Sequence, residues 1–160
     1  MEIRIGQGFD RHRLVPGVGF PLAGVEIEGE FAVEAHSDGD VVLHALIDAL
    51  LGATGQGDIG DLFPPTDDRW RDVASHTMLD EVLGRVRPPW RIANVDVTVF
   101  LQRPKLARYK SRMRTALAKA CDLSDDCVNI KAKTGERVGA VGRSESVDAA
   151  VVVLLTRPAA

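Results

Sequence analysis

Cysteine is almost absent from this 160-residue chain: Cys121 and Cys127 stand in no metal-binding or redox spacing. That excludes a disulfide framework and a cysteine-rich zinc module, and both are expected as reduced structural thiols. No stretch approaches 18 apolar residues, which argues against a membrane-spanning helix, and Met1-Glu2-Ile3-Arg4-Ile5 lacks the long apolar core of a signal peptide. A dominant charge is missing too. Twenty Lys and Arg against 23 Asp and Glu give a net charge of −3 with the signs interleaved, so neither nucleic acid nor an anionic membrane is indicated as a partner. A cytoplasmic protein is expected, with no internal repeat and no low-complexity linker.

What is present, 45% hydrophobic and 27% charged residues, suits one domain over residues 1–160 that buries about 68–70% of its unfolded surface. Glu2 to Asp10 reads as a strand and Phe20 to Ile27 as a second. Val41 to Leu50 reads as a helix capped by Ser37 or Asp40, with Leu43, Leu46, Ile47 and Leu50 as its buried stripe. Asp72 to Val86 predicts a helix with Leu79, Val82, Leu83 and Val86 inward, ended by Pro88-Pro89. Ile92 to Gln102 alternates, with Ala93, Val95, Val97, Val99 and Leu101 on one face. Pro104 is expected to open a long helix whose apolar positions run from Leu106 to Ala120, with Arg108, Lys110, Arg112, Arg114 and Lys119 as a solvated face. Cys127 to Ala132 alternates again, and Val147 to Leu155 is an apolar run fit for a buried strand. Together these predict an α/β (α+β) domain, a mixed β-sheet covered by helices on one face.

Two short runs carry chemistry: Gly8-Phe9-Asp10-Arg11-His12, and Ala35-His36-Ser37-Asp38-Gly39-Asp40 followed by His44. On a strand, Asp10 and His12 share a face. On the helix, His44 and Asp48 lie together on the shoulder of the buried stripe, where a side chain can face a cleft. One carboxylate and two imidazoles make three protein ligands, and the fourth position of a catalytic zinc ion stays open for a substrate oxygen. Taken singly, an Asp-x-His pair or a helical histidine is more often packed or solvated than a ligand.

Two glycine-rich loops follow. Residues 52–67 contain Gly55-Gln56-Gly57-Asp58-Ile59-Gly60, a literal dinucleotide fingerprint, but it follows a helix where the fingerprint needs a strand, so that reading is rejected. The loop is either a cover over a substrate or a flexible connection. In residues 134–146, Lys131, Lys133, Arg137 and Arg143 surround Thr134 and Glu136. This suits phosphate oxygens and a magnesium ion, or an ordinary charged surface loop.

These runs, with Asp48-Ala49-Leu50-Leu51-Gly52, Gly57-Asp58-Ile59-Gly60, Leu62-Phe63-Pro64, Asn94-Val95-Asp96-Val97, Pro104-Lys105 and Gly142-Arg143, resemble the 2-C-methyl-D-erythritol 2,4-cyclodiphosphate synthases of the non-mevalonate isoprenoid pathway over nearly the whole chain. The resemblance implies a homotrimer with active sites between subunits. It implies that 4-diphosphocytidyl-2-C-methyl-D-erythritol 2-phosphate is cyclised with loss of CMP. It gives Asp10, His12 and His44 as ligands of Zn2+, Glu136 as the ligand of Mg2+ (or Mn2+), and His36 and Thr134 as the groups that stabilise the transition state. Asp58 and Gly60 would contact the substrate's methylerythritol part, with Phe63, Pro64, Pro65, Thr66 and Asp67 lining that lobe, and Leu101, Lys105, Ala107 and Lys133 would cradle the nucleotide. Ser37, Asp48, Ile59, Gly135, Ala140 and Arg143 would also meet the substrate, and Arg143 would lie near a trimer-axis cavity able to hold an isoprenoid diphosphate.

Gln7, Asp61, Pro65, Lys133, Gly135, Ser144 and Ser146 depart from the familiar pattern of that family, and none is a proposed metal ligand. Two other readings compete with a cyclising lyase: a zinc-dependent phosphohydrolase using the same ligands, and a non-catalytic trimer that binds isoprenoid diphosphates.

Overall fold

A computed structural model of the chain describes residues 1–64, 66–70 and 73–159. Its frame is a five-stranded mixed sheet in the order β4-β1-β7-β5-β6, built from β1 (Glu2–Pro16), β4 (Phe31–Glu34), β5 (Arg91–Phe100), β6 (Val128–Lys133) and β7 (Ser146–Arg157). Among the described residues only β5 and β6 run parallel; the remaining pairs of this sheet are antiparallel. Helix α1 (Val41–Thr54) lies across β1 and β7, α3 (Ser75–Val86) packs on α1, and α4 (Lys110–Ala120) packs against β6. The expected sheet with helices on one face is the observed architecture.

Position-specific sterics seat α1. A Cβ at Gly6 would lie 1.8 Å from the Ala49 carbonyl oxygen, and one at Gly8 would lie 1.9 Å from that of Ala45. Only glycine lets the helix rest directly on the strand backbone, and this brings His44 down onto the edge carrying Asp10 and His12. Asp40 is the N-cap, not Ser37. Its buried carboxylate accepts from the Val42 and Leu43 N–H groups and from those of Ala23 and Gly24. Burial pushes its pKa up, and the N–H donors of Gly24, Ala23 and Leu43 work against the rise. Helix α1 is buried on nearly every side, not along one stripe, because sheet and α3 sandwich it.

Several sequence expectations are corrected. Phe20 to Ile27 is not one strand but a hairpin, β2 (Gly19–Leu22) and β3 (Val25–Glu28), because Ala23 and Gly24 both adopt positive φ and turn the chain where Asp40 holds their N–H groups. Strand β4 was not anticipated. Asp72 lies outside the described residues, and α3 begins at Ser75, with Leu79, Val82, Leu83 and Val86 inward as expected. The helix expected from Pro104 starts at Lys110: the Leu106 carbonyl takes the N–H groups of Tyr109 and Lys110 in a turn that precedes it. Ala93 does not share the buried face of Val95, since a register shift between Ile92 and Asn94 puts Ile92 there instead. On β7, Val147, Ala149, Val151, Val153 and Leu155 face the helices; on the other face Ser146 and Asp148 are buried, whereas Val152 is 41% exposed.

Cys121 is buried and Cys127 half-buried, both free thiols, and no helix among the described residues is long and apolar enough to cross a membrane.

Candidate active site

Asp10 Oδ2, His12 Nε2 and His44 Nδ1 form a nearly equilateral triangle with edges of 3.0, 3.0 and 3.1 Å. Three ligands of a tetrahedral zinc ion at about 2.0 Å stand about 3.3 Å apart, so the triangle matches one face of that coordination shell. Three lone-pair atoms this close also need positive charge between them, as a proton or a metal cation. Burial acts to raise the pKa of Asp10, and the bonds to His12 and His44 outweigh it, holding the carboxyl far below the usual carboxylate range. The donor set therefore fits a divalent cation.

Beside the triangle opens a cavity of about 230 Å³, walled by Ala35, His36, Ser37, Ile59, Gly60, Phe63, Asp67, Trp70 and Met78 as well as His12 and His44. The polar loop 52–67 supplies much of this wall. Gly55 ends α1 in the left-handed conformation, and Asp58 caps the short helix α2 (Ile59–Leu62) in a reciprocal box with Asp61. Asp48, on the turn below His44, accepts the Ile59 N–H at 2.8 Å and ties α2 to α1. Burial raises the Asp48 pKa against the lowering effect of that bond. Phe63 is buried with its ring edge-on to Trp70, 4.7 Å between centroids. Pro64 is half-buried, Thr66 is exposed, and the Asp67 carboxylate grips Arg69. Pro65 lies outside the described residues.

The remaining site residues from the sequence are elsewhere in the chain. Leu101, Lys105, Ala107, Lys133, Thr134 and Glu136 line a second cavity of about 420 Å³ where β5 and β6 end. There Thr134 Oγ1–H donates to Glu136 Oε1 at 2.5 Å, and Glu136 and Arg137 both carry positive φ, presenting an exposed carboxylate at a tight turn. Gly135 sits too close to Gly142 for any side chain: a Cβ would lie 2.4 Å from its nitrogen. Ala140 lines a third cavity with Arg11, Arg13 and Glu145. Of the four cations expected to surround Thr134, Lys133 lines its cavity, but Lys131 and Arg143 are drawn elsewhere. Lys131 pairs with Asp96 and Arg143 with Glu145, each carboxylate taking the cation locally. Sequence reasoning missed Trp70 and Met78 on the first cavity. It also missed roles for Asp38 and Ser75, which bond each other while Ser75 reaches His44; only Asp38 carried a signal, from its place in the His36 run.

A family model described as the YgbB family matches residues 3–156. The chain belongs to the YgbB family. A relative from Halorhodospira halophila, 2-C-methyl-D-erythritol 2,4-cyclodiphosphate synthase, is 52% identical over 155 residues, covering 96% of this chain and 95% of that protein. A solved 2C-methyl-D-erythritol-2,4-cyclodiphosphate synthase in its CDP-bound form superposes with a TM-score of 0.89 at 40% identity, covering 96% of this chain and all of that one. The bifunctional IspDF from Campylobacter jejuni gives a TM-score of 0.92 at 39% identity, covering 98% of this chain but 43% of the longer one. The resemblance carried by the His36 to His44 run is thus borne out across the whole YgbB fold.

Proposed function

We propose that this YgbB chain, as a homotrimer, converts 4-diphosphocytidyl-2-C-methyl-D-erythritol 2-phosphate to the 2,4-cyclodiphosphate, a step in isoprenoid precursor synthesis. The observation that carries this reading is the Asp10, His12, His44 triangle opening onto the cavity of His36 and Gly60 in a chain of this family. An oxygen of the 2-phosphate attacks the β-phosphorus, a new P–O–P link closes, and the bond to CMP breaks with CMP leaving as the anion.

Both reacting groups are anionic, so repulsion opposes their approach in water. Asp10, His12 and His44 would hold Zn2+ and Glu136 would hold Mg2+ or Mn2+, and the chemistry these cations supply is charge neutralisation on the diphosphate oxygens. A single exposed carboxylate fits magnesium, which keeps few protein ligands and takes the rest from phosphates and water. The chain's own residues do the positioning. His36 and the Thr134 hydroxyl face the transferred phosphoryl group, Asp58, Ile59 and Gly60 hold the methylerythritol hydroxyls, and Phe63 to Asp67 with Asp48 close that lobe. Leu101, Lys105, Ala107, Lys133, Gly135 and Ala140 cradle the cytidine and its phosphates. Fixing both ends of one substrate makes the attack intramolecular, which is worth roughly 7–11 kcal/mol.

Within one chain the two sets of residues line separate cavities. We assign them to opposite sides of a subunit interface, supported by the face of the sheet turned away from α1, where Ile3, Ile5, Phe9 and Val152 are 57%, 69%, 49% and 41% exposed. Such an apolar sheet face marks an association surface. Three copies packed there would bring Arg143 near the axis, where an isoprenoid diphosphate could bind. The free thiols fit a reducing compartment, the cytoplasm.

A phosphorus NMR time course with the substrate, zinc and magnesium tests the reading. Two coupled resonances of a cyclic diphosphate, growing in step with CMP, are expected. Inorganic phosphate or a linear product would instead establish the hydrolase, and no turnover in metal-loaded protein would leave only the binding trimer.

A further inference from the structure

We propose that Asp38 and Ser75 are positioning residues for His44, forming a hydroxyl relay that fixes which nitrogen of its ring is offered to the metal. The proposal rests on the metal-site reading above.

Ser75 is fully buried at the first turn of α3, yet its hydroxyl caps nothing: Ala74 is the N-cap, and its side chain makes no capping bond. Instead its O–H donates to Asp38 Oδ1, while its oxygen lies 2.9 Å from His44 Nε2. Asp38 accepts three hydrogen bonds. Oδ1 takes the Ser75 hydroxyl and the Asp40 N–H, and Oδ2 takes the Ser75 N–H at 3.1 Å. A carboxylate cannot donate, so the Ser75 proton must point at Asp38, and the oxygen has only lone pairs left for His44. Nε2 must then carry the proton, and Nδ1 is left to face Asp10 and His12 as a metal ligand. Ser37 Oγ, 3.2 Å from the same Nε2, already accepts the Gly39 N–H. Its own proton could turn toward Nε2 and favour the wrong tautomer, and the Ser75 oxygen opposes that turn. A tie between α3 and the 36–40 loop would need only the Ser75 N–H; the hydroxyl is what reaches His44. Ligating histidines characteristically donate their second N–H to a carboxylate or carbonyl, and here a serine is interposed.

The test measures zinc affinity by competition with a chromophoric chelator in wild-type protein, Ser75→Ala and Asp38→Asn. Asparagine leaves no orientation that accepts all three Asp38 donors, so it disrupts the relay at nearly constant shape. Both variants are expected to weaken zinc binding about 10- to 100-fold while melting, free of metal, near wild type. In zinc-loaded wild type, the His44 Nε2–H proton should give a downfield NMR signal protected from exchange with water, and Ser75→Ala should lose that protection. Affinities within about two-fold of wild type, or a rapidly exchanging His44 proton in the wild-type protein itself, would overturn the relay while leaving the metal site standing. Failure of wild-type protein to retain zinc would overturn both.

Discussion

The Asp10, His12, His44 triangle and the Thr134–Glu136 turn differ in how they are held. The first hangs on the long strand β1 and a helix buried on nearly all sides, with Gly6 and Gly8 setting their separation and His44 only 8% exposed. The second is an exposed turn at the sheet's parallel edge, with Glu136 and Arg137 at positive φ and one hydrogen bond between the two functional side chains. On the proposed reading, the preformed face of three donors would bind its cation before substrate arrives. The lone Glu136 carboxylate would need the substrate's phosphates, and the neighbouring subunit, to complete its shell.

Removing a donor from either region gives the largest effects. His44→Ala should lose zinc and turnover, and Glu136→Gln should keep zinc yet lose turnover, each by about 10³-fold or more if several kcal/mol of charge stabilisation disappear. Metal analysis, light scattering and CMP release separate the two; a zinc-free His44→Ala that still turns over would break the distinction. Next comes the interface. Ile5→Glu places charge on the exposed apolar face, so the trimer should dissociate and turnover fall, while roughly one zinc per chain remains. Turnover by the separated chains would contradict a shared site. Thr134→Ala removes one charge-assisted hydrogen bond and should lower kcat about 10- to 100-fold with little change in KM; an unchanged kcat would remove Thr134 from the transition state.

The smallest effect is in acid. The depressed Asp10 pKa contributes stability that is fully present above its unfolded value near pH ~4 and is lost as pH falls through the lower folded value. Metal-free wild type should therefore lose melting temperature below about pH 4 more steeply than Asp10→Asn. Parallel curves would show that the triangle holds no such charge.

Much of the first region was legible in the sequence, because strand alternation put Asp10 and His12 on one face and helical periodicity put His44 beside them. The mixed sheet and its helical cover were legible for the same reason. The Ala23-Gly24 turn was not, since alanine carries no turn signal and its positive φ is imposed by Asp40, distant in sequence. The late start of α4 was hidden by apolar spacing that begins at Leu106, before the helix does. Ser75 was invisible as part of the site, because only the packing of α3 on α1 brings its hydroxyl to His44. The second face of β7 was read as core, yet Val152 on it is 41% exposed in a single chain, and the subunit interface proposed above would account for its composition.

The central claim is that each active site joins the zinc triangle of one chain to the Glu136 turn of its neighbour. Unfolding and refolding an equal mixture of His44→Ala and Glu136→Gln, then measuring CMP release, tests it most directly. Random assortment sets an intact triangle beside an intact turn at about one interface in four, so the mixture should recover about a quarter of wild-type turnover. Activity no greater than that of the two inactive parents would place the whole site within one chain and contradict the account.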